Sequence, residues 1–344
     1  MDLLPTPQQV EIIDSSAAFL ASRISIAQTR ELFEAATLPA VAADAWSAAA
    51  ELGWFALGLP EDRNGIGCGL ADEALLFREI GRRLAPGPFL STVLGARVAS
   101  FGGDQDLADE IAAGRSIGLV IPASLDAVAA DGSVTGDIQL IDADLDGLVL
   151  AVAPHTASLI PVSSLNAVTE IPCVDPTVRL HRAVGTGAAP TISVASDVDP
   201  IELRGHVLAA ALLAGIVEWA RDTGAEHAIN RVQFDRPIGV NQAIKHPCAD
   251  MAVQAQLAYS QSLFGALAID EGRADAEFQA LSAHVTAAAA ADFATAATLQ
   301  IMGGMGFTHE HDVHLYVKRM ELLSHTLGAP SVWLDRLLEL PEPA

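Results

Sequence analysis

Apolar residues recur at helical spacing along the two outer stretches of this chain and in short bursts along the stretch between them. After Thr6, the run Pro7-Gln-Gln-Val-Glu-Ile-Ile-Asp-Ser-Ser-Ala-Ala-Phe-Leu20 predicts a helix capped by the Thr6 hydroxyl. Residues Asp72–Leu84 repeat the pattern, with Leu75, Leu76, Ile80 and Leu84 forming one stripe. Between them, Leu57–Gly69 is dense in Gly, Pro, Asp and Asn and reads as a turn-rich connector. Near Ser116 the texture changes. Ile117–Ile121, Gly147–Val152 and Ser158–Pro161 are short apolar runs separated by Asp, Gly, Ala and Pro, which predicts strands of a small β unit. Gly185-Thr-Gly-Ala-Ala-Pro190, running on to Asp199-Pro200, reads as a linker and last edge strand. From about Ile201 helices return: Val207–Trp219 is almost wholly apolar and belongs in a bundle interior, and Leu281–Gln300 is an Ala-rich helix ending before Gly303-Gly304. No fixed-period repeat is present. The chain therefore divides into 1–115, 116–197 and 198–344: mainly α, with a central β domain between two helical ones.

Composition narrows what such a chain can bind. Its 344 residues suit two or three domains, and 51% hydrophobic content excludes global disorder. Forty-three acidic against 19 basic residues give a net charge of -24, a field that repels nucleic acid and anionic membranes. An anionic ligand would need a local basic patch. The start, Met1-Asp-Leu-Leu-Pro-Thr-Pro7, is acidic and broken by proline, unlike a secretory leader. No uninterrupted apolar run reaches membrane-spanning length, since Ala287–Ala291 lies between His284 and Asp292. Cys68, Cys173 and Cys248 are too far apart in sequence for a metal or disulfide pattern. His309, His311 and His314 do not follow the spacing of a helical zinc motif, so no metal is expected. A cytoplasmic protein is expected, with neither nucleic acid nor membrane as partner.

Two segments carry candidate chemistry. Leu299-Gln-Ile-Met-Gly-Gly-Met-Gly-Phe-Thr-His-Glu310 places Gln300, Gly303 and Gly304 on a turn after the Ala-rich helix, where a missing Cβ lets backbone approach a ligand. Arg231-Val-Gln-Phe-Asp-Arg-Pro-Ile-Gly-Val-Asn-Gln242 offers an arginine fork suited to phosphate oxygens. In this order the pair resembles the C-terminal domain of flavin-dependent acyl-CoA dehydrogenases. Glu51-Leu-Gly-Trp-Phe-Ala-Leu-Gly-Leu-Pro-Glu-Asp-Arg-Asn-Gly-Ile-Gly67 and Glu79-Ile-Gly-Arg-Arg-Leu-Ala-Pro-Gly-Pro-Phe89 resemble that family's N-terminal connector and helix end. The resemblance covers nearly the whole chain. It implies an N-terminal helical domain, a middle β-barrel-like domain and a C-terminal four-helix bundle. It also implies that Arg231, Phe234, Gln242, Gln300, Gly303 and Gly304 cover the adenine and pyrophosphate of an FAD held by a neighbouring subunit. Asp235 stands where the family has Gly, which adds a negative charge beside the pyrophosphate.

The chain departs from the family where a base is needed. Desaturating an acyl thioester requires a carboxylate of raised pKa in a dry pocket to take the α-proton while a hydride leaves the β-carbon. The family supplies Glu from a turn near the C-terminus, which falls on Thr326-Leu-Gly-Ala329 and puts Leu327 in that position. Its second location falls on Gly205 or His206. No Asp or Glu lies between Glu321 and Asp335. Glu202, about one helical turn before Gly205, is an alternative base, though it also reads as a first-turn acid favoured by the helix dipole. His325, two residues before Leu327, reads as a structural or surface histidine, and Trp333 and Leu337 as packing residues. The flavin-embracing Thr-Glu-Pro and Trp-containing loops correspond to Ile121–Asp131 and Gly136–Asp142, where the Thr-Glu-Pro core is gone and Leu140 takes the Trp position.

The resemblance thus points to a short subunit of the actinobacterial α2β2 acyl-CoA dehydrogenases of steroid side-chain catabolism. Such a chain has no catalytic residue of its own. It shares FAD with a catalytic acyl-CoA dehydrogenase subunit, leaves room for a bulky acyl-CoA, and works with electron-transfer flavoprotein or a similar acceptor. The alternatives are a self-sufficient dehydrogenase using a displaced base such as Glu202, and a flavin-free CoA-binding or scaffold protein.

Overall fold

Thr6 caps the first helix through a reciprocal pair of bonds: its hydroxyl accepts from the Gln9 N–H, and the Gln9 side chain accepts from the Thr6 N–H. The computed structural model describes residues 3–34 and 41–341; the outermost residues of the two helical segments and the 35–40 stretch lie outside the described residues. The N-terminal helices are α1 (Pro7–Arg23), α2 (Ile26–Glu34), α3 (Ala43–Glu51), α4 (Leu70–Arg82), α5 (Phe89–Phe101) and α6 (Gln105–Ala112). The turn-rich connector between α3 and α4 holds only a short 3-10 turn at Glu61–Arg63. Leu84 falls beyond the end of α4 with φ of 52°, yet its side chain is buried with the rest of the stripe.

Seven strands follow: β1 (Ile117–Pro122), β2 (Val134–Ile141), β3 (Leu148–Ala153), β4 (Thr156–Pro161), β5 (Asn166–Ile171), β6 (Leu180–Ala188) and β7 (Ile192–Ala195). They form one sheet in the order β5-β6-β2-β1-β3-β4-β7, with β1 and β3 parallel and the other neighbours antiparallel. Alternation along the strands separates two apolar sets. Leu119, Leu148, Leu150 and Leu159 join the helical core, whereas Val120, Val149, Ala151, Ile160 and Leu140 belong to a second core enclosed by the sheet itself. The stretch from Gly185 holds the expected last edge strand, β7, but its first residues are not linker. Gly185–Ala188 completes β6, an interior strand paired with both β2 and β5, and the edge is β7. Its small residues permit this: a Cβ at Gly185 would lie 2.4 Å from the Val134 carbonyl oxygen across the ladder.

Helices return as α7 (Ile201–Asn230), α8 (Gln242–Asp270), α9 (Ala276–Met302), α10 (Val313–Leu323) and α11 (Pro330–Glu339), with a two-stranded hairpin, β8 (Val232–Gln233) and β9 (Arg236–Pro237), between α7 and α8. In length and mean hydropathy, 1.2, Ala276–Phe307 is a candidate membrane span, although Glu277, His284 and Asp292 interrupt it. Its apolar character is largely alanine, and it packs along α7 and α8.

The centre of the molecule is α7, which crosses α4 backbone to backbone. A Cβ at Gly81 would lie 2.0 Å from the Leu212 carbonyl oxygen, and one at Gly215 would lie 2.0 Å from that of Arg78. Only glycine fits either position. Beside this contact Glu218 of α7 lies 3.4 Å from Arg82 and 3.8 Å from Arg78 of α4. Replacing Gly215 with Ala forces the helices apart and should cost about 3 kcal/mol by the usual penalty of overpacking. A lower urea midpoint at unchanged m-value is the expected observation.

Candidate functional site

Two sets of residues lie at opposite ends of α7. At its C-terminal end the chain leaves the helix at Arg231 and enters the β8–β9 hairpin, whose tip is Phe234-Asp235. Both tip residues have positive φ, 53° and 61°, a conformation that two-residue hairpins normally give to Asn and Gly. The tip thrusts the Phe234 ring outward, 95% exposed. The three long helices are joined just beneath. Thr298 of α9 donates its hydroxyl to the Ala220 carbonyl of α7 at 2.8 Å and lies 3.3 Å from Met251 Sδ of α8. Gly224 of α7 makes room for both Met251 and Ile301. Thus Arg231, Phe234, Gln242, Gln300, Gly303 and Gly304 share one end of the bundle, and all are exposed.

Gly303 closes α9 with φ of 58°, which an L side chain resists, and a Cβ at Gly303 or Gly304 would meet nothing within 4 Å. The turn is therefore an open floor, passable to a ligand backbone or pyrophosphate. Arg231 adds positive charge there. With burial, that charge lowers the pKa of neighbouring His227. An exposed guanidinium, an exposed ring and a glycine floor fit the dinucleotide end of a flavin cofactor. Of the histidines of 309–314, His309 and His314 meet edge-on with ring centroids 5.1 Å apart, His311 Nδ1 accepts from the Val313 N–H at the start of α10, and no metal-binding group of three His, Cys, Asp or Glu is found among the described residues.

At the other end of α7, Gly205 faces the turn after α10. A Cβ on Gly205 would lie 3.0 Å from Leu327 Cδ1 and 3.3 Å from Leu94 Cδ1. The two positions expected to carry alternative glutamates therefore adjoin in space, and leucine fills the gap between them. Glu202 is the first-turn acid expected of α7, and it is also a buried member of an ion pair. Arg336 Nη1 of α11 donates to both its oxygens at 2.8 and 2.9 Å. Burial raises the Glu202 pKa and Arg336 opposes that rise. His325 is half-exposed, its Nδ1 3.0 Å from the Glu321 carbonyl. Trp333 is buried as a packing residue.

Sequence reasoning passed over a third group. A cavity of about 70 Å³ lies between the sheet and the helices, lined by Leu84, Phe89, Leu119, Leu212, Thr326 and, as its charged members, Asp142 and Arg319. Arg319 is held by Asp175 and Thr177. The Asp142 carboxylate accepts from the Arg179 N–H at 2.8 Å. Burial pushes its pKa up to about 6, against the pull of that bond and of Arg319. Asp142 falls within a stretch already singled out, but only the folded sheet reveals which side of β2 it faces. Leu140, two residues earlier, points into the sheet's own core.

Residues 204–339 match the acyl-CoA dehydrogenase C-terminal domain family, and residues 6–108 match the corresponding N-terminal domain. Acyl-CoA dehydrogenase IpdE2 of Mycobacterium tuberculosis is 34% identical over 83% of this chain and 83% of its own length. Acyl-CoA dehydrogenase FadE34 of the same organism is 33% identical over 87% of this chain, but the match spans only 43% of FadE34. Among solved structures, the Tcur3481-Tcur3483 steroid ACAD superimposes at TM-score 0.84 and 21% identity, covering 96% of this chain and 97% of that one. The ChsE4-ChsE5 complex from Mycobacterium tuberculosis does so at TM-score 0.84 and 20% identity, covering 99% and 100%. At such identities these structures show the fold.

Two outcomes follow from the site geometry. Asp235→Gly removes an unfavourable φ at the hairpin tip and should raise stability by about 1 kcal/mol, read as a higher urea midpoint. Asp142→Asn should stabilise the protein at pH 7 by about 1 kcal/mol, a value reduced for partial solvent access. The sign follows from linkage: the folded pKa exceeds that of the unfolded chain, so stability falls as pH rises from about 4 through about 6. The gain from Asn must therefore vanish below pH 4, and a gain independent of pH would contradict this account.

Proposed function

We propose, from the premise that this chain belongs to the acyl-CoA dehydrogenase family, that it is a subunit which completes the FAD site of a catalytic partner and contributes no base of its own. The observation that carries this reading is the separation of its two half-sites. The helical rise places Gly205 and Arg231 about 39 Å apart along α7. A single flavin dinucleotide cannot touch both ends. Residues at the Arg231 end would therefore serve a flavin whose reacting ring is held by another chain. Arg231 would pair with the pyrophosphate, Phe234 pack on the dinucleotide, and Gln242, Gln300, Gly303 and Gly304 line its course. FAD supplies the hydride acceptor for α,β-desaturation.

At the Gly205 end, Leu327 and Leu94 fill the space a proton-accepting carboxylate would need. Glu202 is a poor substitute, because both its oxygens are already engaged by Arg336 Nη1, so neither is free to face a substrate carbon. The likeness to the Tcur3481-Tcur3483 steroid ACAD supports a bulky acyl-CoA, with a steroid side chain as its class, and the paired chains named in that structure and in the ChsE4-ChsE5 complex support a two-chain assembly, which this reading takes as α2β2. An electron-transfer flavoprotein or similar acceptor would reoxidise the complex, and its location would be cytoplasmic.

Expression alone and with a longer acyl-CoA dehydrogenase chain tests this. The short chain alone should be colourless and inactive, and the pair yellow and active. Arg231→Ala should lower flavin occupancy of the pair at least tenfold without separating the chains. A yellow, active homo-oligomer from this chain alone would overturn the proposal, and a flavin-free complex would favour the scaffold alternative.

A further inference from the structure

Behind the Gly205–Leu327 contact lie two histidines with no access to solvent. His206 of α7 and His284 of α9 are each 0% exposed, and their Nδ1 atoms are 2.9 Å apart. The proton positions can be worked out from one end. His284 Nε2 lies 3.3 Å from the Leu323 carbonyl oxygen, which only accepts, so this nitrogen must carry hydrogen. A neutral imidazole has one N–H, leaving His284 Nδ1 as an acceptor. His206 must then donate from its own Nδ1. Its Nε2 is left as a bare lone pair, fully buried and without a hydrogen-bond partner. That lone pair faces Glu202 Oε1 at 3.9 Å.

A lone pair opposed to a carboxylate in a dry interior is unfavourable, and one proton between them removes the conflict. Charges around the cluster favour the same proton. Arg336 of α11 bonds Glu202 and also Glu277 of α9, at 2.6 Å, so one positive charge meets two negative ones. Other titratable groups near the cluster are His155 in the β3–β4 turn, beside Glu202, and His325 after α10, beside His284. Neither bonds to the histidine pair. If His284 were doubly protonated instead, it would donate to both neighbours and free His206 to donate to Glu202. The row Leu323–His284–His206–Glu202 contains three gaps, and two neutral imidazoles bring hydrogens for two.

We propose that Glu202, His206 and His284 form a binding site for a single proton, and that this proton latches the Leu327 turn. With it bound, closing the 3.9 Å separation between Glu202 and His206 by a few tenths of an ångström extends the two existing hydrogen bonds into a row joining the start of α7 through α9 to the end of α10. Trp333 couples the row to the turn. Its ring stacks on His284 at 4.2 Å and 28°, meets His206 edge-on at 5.0 Å, and its Nε1 donates to the Leu327 carbonyl at 3.4 Å. Loss of the proton restores the repulsion between Glu202 and His206, loosens the seat of Trp333, and frees the turn that fills the space beside Gly205. Burial acts in the same sense, raising the Glu202 pKa and lowering those of both histidines, His284 to about 4. The proton therefore resides mainly on Glu202. The latch lies in the chain's own interior and operates whether or not a partner subunit supplies the base.

Nitrogen-15 NMR of histidine-labelled full-length chain, taken as it purifies, is the test. Between pH 5 and pH 8 the His206 Nε2 resonance should move from the shift of a hydrogen-bonded acceptor to that of a bare lone pair. Over the same range exchange of the Trp333 indole N–H, corrected for intrinsic pH dependence, should quicken at least tenfold. Glu202→Gln replaces the titrating proton with a permanent amide donor and should hold the low-pH spectrum and slow exchange throughout. A His284 tautomer protonated at Nδ1, or wild-type signals invariant with pH, would refute the proposal without recourse to any variant. So would an identical pH response in Glu202→Gln.

Discussion

Helix α7 can run through the middle of this molecule because two glycines let it lie directly against α4. Gly81 and Gly215 remove the Cβ atoms that would otherwise strike the facing carbonyls, and the Arg78, Arg82 and Glu218 charges settle beside the crossing. Both candidate half-sites then hang from one rigid rod. Its first turns hold Glu202, Gly205 and His206, and its last residue leads into Arg231. The distance and relative orientation of the two half-sites are thereby set by helical geometry rather than by loops.

This arrangement makes the two ends chemically unlike. Near Ile201 the surroundings are dry, and each charged group is answered by another: Glu202 by Arg336, Asp199 by Arg97 and Arg204. Near Asn230 the polar groups face outward, and a glycine floor lies open beside them. A dry, sealed end protects buried titrating groups, whereas an open, cationic end can accept a phosphate-bearing ligand from outside. The strong negative charge of the whole chain sharpens this contrast, because Arg231 stands out against it.

Much of the fold was legible from period and punctuation. The Thr6 cap, the stripe of α4, the first strands and the Ala-rich α9 all declared themselves locally, since each is governed by neighbours in sequence. The misreadings share one cause. Gly185–Ala188 looked like a linker because small residues mark turns, yet in β6 they allow close approach to Val134. Glu202 was legible as a first-turn acid, but its buried ion pair was not, because Arg336 lies 134 residues away. Asp142, Arg319 and the histidine pair went unnoticed for the same reason, being defined by contacts between distant segments. The Arg231 and Gly303 segments were found by their motifs, but only the Thr298 and Met251 junction brings them to one end.

The hairpin tip has a consequence for how such a chain must be made. An aromatic ring held almost wholly in water, with Ile229 and Val232 exposed on the same stretch of chain, is an invitation to adhesion for any copy left without a covering surface. Supply of this polypeptide would have to be matched to that of whatever shields Phe234, with unmatched copies falling to chaperones or proteases. Gene dosage and translation rate, rather than catalytic constants, would then be where selection on this tip is felt.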